Sequence, residues 1–483
     1  MLDLRPILLV NGILLATLGS AMALPALVDA AAGHVDWLVF AASGFAAVFI
    51  GVSLALMTWG HASELTIKEA FVMVVLSWVL LPAFSALPFA FSDMNLSYTD
   101  AYFEAMSGLT TTGATVIAGL DEAPPGILLW RSLLQWLGGL GIIVMAIAIL
   151  PILQIGGMQL FKVEAFDTAD KVLPSAAQMG GALTSFYLGV TLIFMMLLWA
   201  AGMPAFDAIN HAMTTIATGG FSTRDASIGA FDSALIDYII GAGMIVGSLP
   251  FALYLYALRG KFAPLLRDTQ VGAFLVTAGV LVLILTVYQA THSVNGGVDA
   301  QFRYAFFNVI SIMTGTGYST QDYGQWGAFA LTAFFFSMFI GGCAGSTSCG
   351  IKIFRFQVVY ESARVHIKRL LFPHGSFVPH YQGRPLQDAV TASVMSFLFL
   401  FFASFLTIAA LLNWMGLDDL TALSAAGSAI ANVGPGLGPI IGPAGTYATL
   451  PMPAKWLLSF AMLLGRLELF TVLILLTPSF WRR

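Results

Sequence analysis

Charged residues are scarce in this sequence, and that scarcity excludes most soluble folds. Only 9% of the 483 residues are Asp, Glu, Lys or Arg, whereas a soluble domain normally carries about 25%. Hydrophobic residues make up 58% of the chain, and its mean hydropathy is +0.88. A water-facing surface cannot be built from so few charges, so the composition indicates an integral membrane protein.

Cysteine is also rare, because the chain contains only Cys343 and Cys349. Their spacing is not that of a metal site, and small buried thiols are expected, with a disulfide as the less favoured alternative. The apolar segments also lack clusters of Ser, His and Asp or of metal ligands, which argues against a membrane-embedded enzyme. His211 is isolated and is predicted to be a packing residue, and Asp237 is predicted to be a cap or vestibule residue.

Long apolar runs take the place of the missing polar surface. A bilayer crossing takes about 20 residues, and ten segments stay apolar for roughly that length. They lie near residues 6–29, 36–60, 67–92, 127–153, 180–203, 234–258, 271–291, 326–350, 388–413 and 452–478. So many spans exclude the interpretation of the first one as a cleaved signal peptide.

The distribution of charge predicts the orientation. If the amino terminus is inside and the chain alternates, fifteen of the 20 lysines and arginines fall on the inner side. This satisfies the positive-inside rule and predicts that both termini are cytoplasmic. Most acidic residues then lie outside, where they either concentrate cations at a pore mouth or serve as ordinary loop and cap residues.

Four shorter apolar segments interrupt the series of spans, and each ends in a turn rich in Thr and Gly. These segments cover residues 100–116, 207–222, 301–319 and 418–438. Aligned on glycine, their turns are Thr112-Gly113, Thr218-Gly219, Thr314-Gly315 and Val433-Gly434, about a hundred residues apart. Irregular backbone at membrane depth is tolerated only where protein or water covers it, so the four segments are expected to converge on one axis.

The predicted fold is therefore an all-α polytopic membrane protein with ten transmembrane helices. The last eight form four repeats of helix, pore loop and helix, with pseudo-fourfold symmetry around a central ion pore. The predicted divisions are 1–62 for two extra helices, 63–175, 176–266 and 267–384 for the first three repeats, and 385–483 for the fourth. The third repeat includes a cytoplasmic basic segment.

The chemistry of the turns points to potassium. A ring of backbone carbonyls can replace the hydration shell of the ion, and glycine allows consecutive carbonyls to point inward. The third turn, residues 314–318, reads TGTGY and is close to the TVGYG filter of potassium channels. Glycine and threonine also serve simply to pack membrane helices closely, but four such turns in equivalent places favour a filter.

These motifs resemble the membrane subunit of bacterial Trk potassium-uptake systems, in the superfamily that includes TrkH, TrkG, KtrB and plant HKT proteins. The matching stretches are residues 130–144, 216–223, 313–320, 341–352 and 464–470. The two extra leading spans favour the TrkH/TrkG branch. The resemblance implies a filter that binds the transported potassium ion at Thr111, Thr112, Gly113, Thr218, Gly219, Thr314, Gly315, Thr316, Asn432, Val433 and Gly434. Glycine rather than serine at position 113 implies a preference for potassium over sodium.

Two candidate gates follow. The small residues of 341–350 are expected to break a helix, and the alternative is a seam of tight helix packing. The resemblance implies that a gating loop lies there. Its residues would be Gly341, Gly342, Gly345, Ser346, Thr347, Ser348 and Gly350. Arg466 lies within the last span, where an arginine is costly and faces protein or water. The resemblance implies that Arg466 sets a barrier below the filter, and the alternatives are pairing with Glu468 or snorkelling.

The resemblance also implies partners and a location. It predicts a homodimer in the lipid of the bacterial inner membrane, regulated by a cytosolic TrkA-type ring that binds NAD(H) or adenine nucleotides. The basic segment 355–387 would either dock that ring or contact lipid headgroups. No organic cofactor and no nucleic acid are expected. A sodium-permeable or ion-coupled transporter is the competing hypothesis.

Overall fold

A computed structural model describes residues 2–60, 66–148, 176–292 and 297–482 of the chain. The end of the fourth predicted span, 149–153, lies outside the described residues, as do the predicted boundaries at 62–63 and 175. The described part is mostly helical, and its helices are numbered here in chain order.

Four helices precede the first segment that ends in a Thr/Gly-rich turn, and the last of the four opens the first predicted repeat. They are α1 Leu4–Ala21, α2 Ala23–Ala32, α3 Trp37–Thr58 and α4 Ile67–Phe91. Helix α1 packs along α3 at close range, because a β-carbon on Gly12 would lie only 2.6 Å from the Gly51 carbonyl oxygen. Small residues at such crossings let membrane helices pack backbone to backbone. Helix α4 begins at a capping box in which Thr66 and Glu69 bond each other's backbone.

The remaining helices are grouped here by the four predicted repeats in which they fall, the first of which also includes α4. The first two comprise α5 Tyr98–Leu109, α6 Pro125–Ala148, α7 Ala176–Ala200, α8 Ala205–Ile216, α9 Ala234–Ser248, α10 Phe251–Ala257 and α11 Ala263–Arg267. The third comprises α12 Thr269–His292, α13 Val298–Thr314, α14 Ala328–Ser337, α15 Ile353–Leu371 and the antiparallel strands β1 His380–Tyr381 and β2 Arg384–Pro385. The fourth comprises α16 Asp388–Trp414, α17 Asp419–Ala431, α18 Gly438–Ile441, α19 Met452–Arg466, α20 Phe470–Leu473 and α21 Pro478–Trp481. Short 3₁₀ turns occupy 120–122, 227–231, 323–325 and 474–476.

The described ranges contain seven helices that are long and apolar enough to cross a membrane, or nine if each of two bent pairs counts as one span. The bent pairs are α9 with α10, at 100°, and α19 with the segment 470–476, at 111°. These nine coincide with nine of the ten predicted segments. The predicted segment 326–350 differs, because it is helical only over Ala328–Ser337 and continues as a loop.

Four helices, α5, α8, α13 and α17, precede the Thr/Gly-rich turns and are only 12 to 17 residues long. Side chains fix where two of them begin: Ser97 accepts from the Asp100 amide at 3.2 Å, and Asp418 accepts from the Thr421 amide at 3.0 Å. Helix α8 packs against α6, α7 and α9, and α13 packs against α9, α12 and α14. Helix α5 packs against α4, α6 and α19. Each of these three therefore contacts a helix from a different predicted repeat.

Candidate ion pathway

The four Thr/Gly-rich turns share one backbone conformation. Each contains two residues with positive φ, separated by one residue. The pairs are Thr111 and Gly113 (φ 51° and 86°), Thr218 and Gly220 (50° and 79°), Gly315 and Gly317 (73° and 82°), and Asn432 and Gly434 (52° and 107°). A β-branched residue at positive φ is a true outlier, so surrounding contacts must hold the two threonines there. Such strain concentrates at functional sites.

Backbone hydrogen bonds define which residues of the four turns are equivalent. In each turn one amide bonds a carbonyl five residues earlier at 2.9 Å. These bonds are Thr112 to Ser107, Gly219 to Thr214, Thr316 to Ser311 and Val433 to Ser428. The glycines that follow, Gly113, Gly220, Gly317 and Gly434, are therefore equivalent.

This register corrects the glycine alignment made from the sequence. Gly113 and Gly434 keep their predicted places, but Gly219 lies one residue before the equivalent glycine and Gly315 lies two residues before it. The Thr-Gly pairs misled the alignment, because the second and third turns contain more than one glycine. Gly220 and Gly317 were missed, although each is followed by an aromatic residue, which is a signal that would have aligned them.

The four equivalent glycines lie against one another's turns in a closed cycle. A β-carbon would approach a neighbouring carbonyl oxygen to less than 3.0 Å in every case. The contacts are Gly113 with Gly219, Gly220 with Thr316, Gly317 with Val433, and Gly434 with Thr112. Both the positive φ and this close approach require glycine. The carbonyls involved all belong to the same equivalent position, so the cycle places four carbonyl groups around one centre.

Threonine and asparagine side chains support this ring from behind. The hydroxyls of Thr110 and Thr112 are 2.8 Å apart, and those of Thr314 and Thr316 are 2.7 Å apart. Asn432 donates to the Thr112 hydroxyl at 2.9 Å and so joins the fourth turn to the first. These hydroxyl and amide bonds join residues within the first and third turns and link the fourth turn to the first.

An open cavity of about 310 Å³ lies on one side of the ring, and all four equivalent glycines line it. Arg131, Arg224 and Asp225 also line it. Two of the acids predicted to concentrate cations form ion pairs instead. Glu104 pairs with buried Arg131 at 2.8 Å, and Asp207 pairs with Arg224 at 2.8 Å. These pairs support the structural alternative for Glu104 and Asp207, whereas Asp225 lies at the cavity.

The small residues after α14 form a loop on the other side of the ring. The helix ends at Ser337, and residues 341–350 are irregular, closed at their base by a bridge between Ile340 and Ile351. The predicted break in the helix is therefore present, and the alternative of a helical packing seam does not apply. Within the loop, Ser346 bonds the Cys343 carbonyl at 2.6 Å and Ser348 accepts from the Gly342 amide at 2.9 Å.

The loop touches three of the four turns. Thr347 Oγ1 donates to the Ile216 carbonyl at 3.0 Å and accepts from Thr218 Oγ1 at 3.2 Å. Cys349 Sγ lies 3.8 Å from Thr111 Oγ1, and a β-carbon on Gly315 would be 3.6 Å from Cys349 Cβ. Residues 347–349 are buried, so the loop covers the ring from this side. Both cysteines are free thiols, as expected.

The loop 341–350 also provides hydrogen-bond partners for the backbone at the break between α9 and α10. Pro250 has no amide hydrogen, so the helix cannot continue through it. The Ser248 carbonyl accepts instead from the Cys343 amide at 3.0 Å, and the Gly247 carbonyl accepts from the Thr347 amide at 3.1 Å. The 100° bend is thus stabilised by the loop that packs into it.

Arg466 lies at the end of α19 and reaches the loop. It donates to the Thr347 carbonyl at 3.3 Å, to Cys349 Sγ at 2.7 Å and to the Gly138 carbonyl at 3.1 Å. Glu468 does not provide its partner, because Glu468 pairs with Arg355 instead. Arg466 is buried, so its charge is held beneath the ring without a carboxylate contact among the described residues.

Two further cations that the sequence assigned to the inner side of the membrane are buried in the structure. Lys352 donates to the Ser348 carbonyl at the base of the loop. Arg355, in the first turn of α15, pairs with Glu468 at the bend after α19 and lies 3.7 Å from the centre of the Phe397 ring. The sign of a charge predicts which side of the membrane it occupies but not its depth.

The two isolated polar residues named from the sequence have structural partners. The His211 ring bonds the Asp207 carbonyl at 2.8 Å and the Ser222 hydroxyl at 2.9 Å. Asp237 is buried and pairs with Arg303 at 3.4 Å. Neither lines the cavity beside the ring.

Comparison with known proteins places the chain in a family. The family model described as TrkH, cation transport protein, matches residues 38–483. The Trk system potassium uptake protein TrkI of Halomonas elongata is 45% identical over 99% of this chain and 97% of its own length. The corresponding TrkH protein of Vibrio parahaemolyticus is 40% identical over the full length of both chains. The crystal structure of the potassium transporter TrkH from Vibrio parahaemolyticus superposes with a TM-score of 0.92, at 38% identity, over 100% of both chains. The chain therefore belongs to the TrkH family of cation transport proteins.

Proposed function

We propose that this protein is a potassium-uptake transporter of the Trk type, and not an enzyme. The observation that carries the proposal is the ring of four carbonyls, held by four glycines that each contact the next turn. A potassium ion gives up its water for such carbonyls without a large net cost. Membership of a family of cation transport proteins supports the same conclusion.

In this proposal the four turns are the selectivity filter, and the chain has pseudo-fourfold symmetry around it with ten transmembrane helices. The carboxyl ends of α5, α8, α13 and α17 carry partial negative charge, which favours a cation at the centre. Ions would reach the ring through the cavity lined by Gly113, Gly220, Gly317 and Gly434. The threonine hydroxyls behind the ring would fix the carbonyl positions.

The loop 341–350 and Arg466 form the gate in this proposal. The loop covers the ring through Thr347 and Cys349, and Arg466 is bonded to both. A positive charge below the filter repels a cation that leaves it. Passage of ions therefore requires both the loop and the arginine to move, and the arrangement described here is the closed one.

We propose further that both termini are cytoplasmic and that the protein works as a homodimer in the bacterial inner membrane. A TrkA-type ring that binds NAD(H) or adenine nucleotides would dock on the segment 355–387. The exposed side chains of that segment support this proposal, since it presents both cations and apolar groups. They include Arg364 and Arg369 together with Ile367, Leu370 and Phe372.

Ion flux into liposomes tests the proposal. Purified protein is reconstituted, and the uptake of potassium, rubidium and sodium is measured for the wild type and for Arg466→Ala. Potassium and rubidium uptake well above sodium, increased by Arg466→Ala, is the expected result. Uptake of sodium equal to that of potassium would instead support the sodium-permeable alternative. Absence of potassium uptake by both proteins, with or without the regulatory ring, would refute the proposal.

The first filter glycine provides a second test. Gly113→Ser places a side chain where the carbonyl of Gly219 approaches, and it should lower the ratio of potassium to sodium uptake. An unchanged ratio would contradict the assignment of this turn to the filter.

A further inference from the structure

The second turn differs from the other three at the position whose carbonyl joins the ring. The other turns place Thr112, Thr316 and Val433 there, and all three side chains are buried. The second turn has Gly219, and a second glycine, Gly220, follows it directly. Two consecutive glycines have the greatest backbone freedom of any pair, so this turn would be the least rigid of the four.

The side chain of Gln135 occupies the space that Gly219 leaves empty. A β-carbon on Gly219 would lie 2.9 Å from Gln135 Cγ and closer still to its carboxamide. Gln135 belongs to α6, and its side chain is fully buried. The missing side chain of the second turn is thus supplied by a different helix.

Gln135 also bonds the backbone on both sides of the glycine pair. Its Nε2 donates to the Gly219 carbonyl at 2.6 Å, and its Oε1 accepts from the Phe221 amide at 3.0 Å. The two bonds fix which end of the amide faces which group. They hold the residues before and after Gly220, and hence the orientation of the peptide between Gly219 and Gly220.

We propose that Gln135 is a positioning residue for ion selectivity, which substitutes in space for the side chain that the second turn lacks. It does not contact the ion. It sets the position of the Gly219 carbonyl, which is one of the four ring carbonyls, and so matches the second turn to the other three. This inference rests on the proposed function of the ring as a potassium filter.

A pair of complementary substitutions tests the inference. Gln135→Ala removes the part of the side chain that packs against Gly219, together with both hydrogen bonds. We expect the ratio of potassium to sodium uptake to fall about tenfold. Gly219→Thr restores the residue found at this position in the first and third turns, but it meets Gln135, so alone it should also lower the ratio. Gly219 has no positive φ, so threonine is compatible with its backbone. In the double variant the threonine alone fills the space beside residue 219. Its ratio of potassium to sodium uptake should therefore recover to within about threefold of the wild-type ratio.

The ratio of potassium to sodium uptake, measured in liposomes on monodisperse protein, distinguishes a positioning role from a purely structural one. Loss of a purely structural residue would lower the uptake of both ions without changing this ratio. Gln135→Met keeps the volume without the hydrogen bonds, and it replaces Gln135→Ala in the same series if the latter does not fold. Ser132→Ala on the same helix, whose hydroxyl bonds only within the helix at 3.1 Å, is the matched control and should keep the wild-type ratio. A wild-type ratio in Gln135→Ala or Gln135→Met, or a double variant no better than the single ones, would overturn the inference. Absence of selectivity in the wild type would instead refute the proposed function.

Discussion

Replacing Gly220 by alanine tests the register of the ring more directly than any other change. Gly220 has φ +79°, where a residue with a β-carbon is strained by roughly 1–2 kcal/mol. Its β-carbon would also approach the Thr316 carbonyl oxygen to less than 3.0 Å. That oxygen belongs to the backbone of the neighbouring turn, so the strain can be relieved only by displacing the ring.

The expected magnitude follows from these two terms. A strain of about 1–2 kcal/mol, if relieved at the expense of ion binding, corresponds to a factor of roughly 5 to 30. We therefore expect Gly220→Ala to lower the ratio of potassium to sodium uptake by roughly 5- to 30-fold. Gly189→Ala on α7 is the matched control, because nothing lies within 4 Å of the position that its β-carbon would take. It should keep the wild-type ratio.

The assay is the uptake of potassium, rubidium and sodium into liposomes at equal amounts of monodisperse protein. Thermal unfolding in detergent is measured in parallel, so that a loss of fold is separated from a loss of selectivity. If Gly220→Ala folded normally and kept the wild-type ratio, the reasoning would be refuted, and the assignment of Gly220 to the ring would be withdrawn.

Three other predictions concern the gate, the buried ion pair and a helix cap. Thr347→Val keeps the shape of the side chain but removes its hydrogen bonds to the Ile216 and Gly247 carbonyls, at 3.0 and 2.8 Å. Potassium uptake should therefore rise several-fold at an unchanged ratio of potassium to sodium uptake. A fall in uptake would contradict the role of the loop as a cover of the ring. Arg355→Met leaves Glu468 buried beside an apolar group and should lower the free energy of unfolding by about 3–5 kcal/mol. Adding Glu468→Met should recover most of that lost stability. Equal losses in the single and double variants, measured by denaturant unfolding, would show that the pair is not coupled. Hydrogen bonds from Thr421 hold the pKa of Asp418 below its ordinary value of 3.8. The Asp418 carboxylate therefore stabilises the folded state above pH 3.8, and this stabilisation is lost as the pH falls through the lower pKa of the folded state. Asp418→Ala should therefore cost about 1 kcal/mol at neutral pH, and the gap to the wild type in thermal unfolding should narrow in acid; a gap that widens would contradict this sign.

The sequence allowed the four half-length helices and their turns to be located, because a short apolar segment that ends in Thr and Gly is a local pattern. It did not reveal the register of the turns. Equivalence depends on hydrogen bonds from each turn to a carbonyl five residues earlier, and the glycines of the second and third turns permit several alignments. The Gly-aromatic pairs at Gly220 and Gly317 agree with the structure, whereas the Thr-Gly pairs do not.

Polar residues that act across helices were not predictable for a different reason. Gln135 carries no charge and follows no local motif of its own, and its role appears only when α6 is packed against the second turn. Arg355 appeared to begin a cytoplasmic stretch, although the fold buries it against Glu468. In both cases the partner lies 84 or more residues away, and a single sequence gives no signal of such a contact.

If the loop 341–350 is the gate, as proposed, its hydrogen bonds to the break between α9 and α10 link opening to hydration. Withdrawal of the loop would release the carbonyls of Gly247 and Ser248 and the amide of Phe251, which now bonds the Gly345 carbonyl at 2.9 Å. Each group left dry would cost about 1–3 kcal/mol, so water must enter as the loop leaves. The open pathway is therefore a wetted one, and its population should fall when an osmolyte too large to enter lowers the activity of water. On this proposal, the rate of potassium uptake should fall under such osmotic stress.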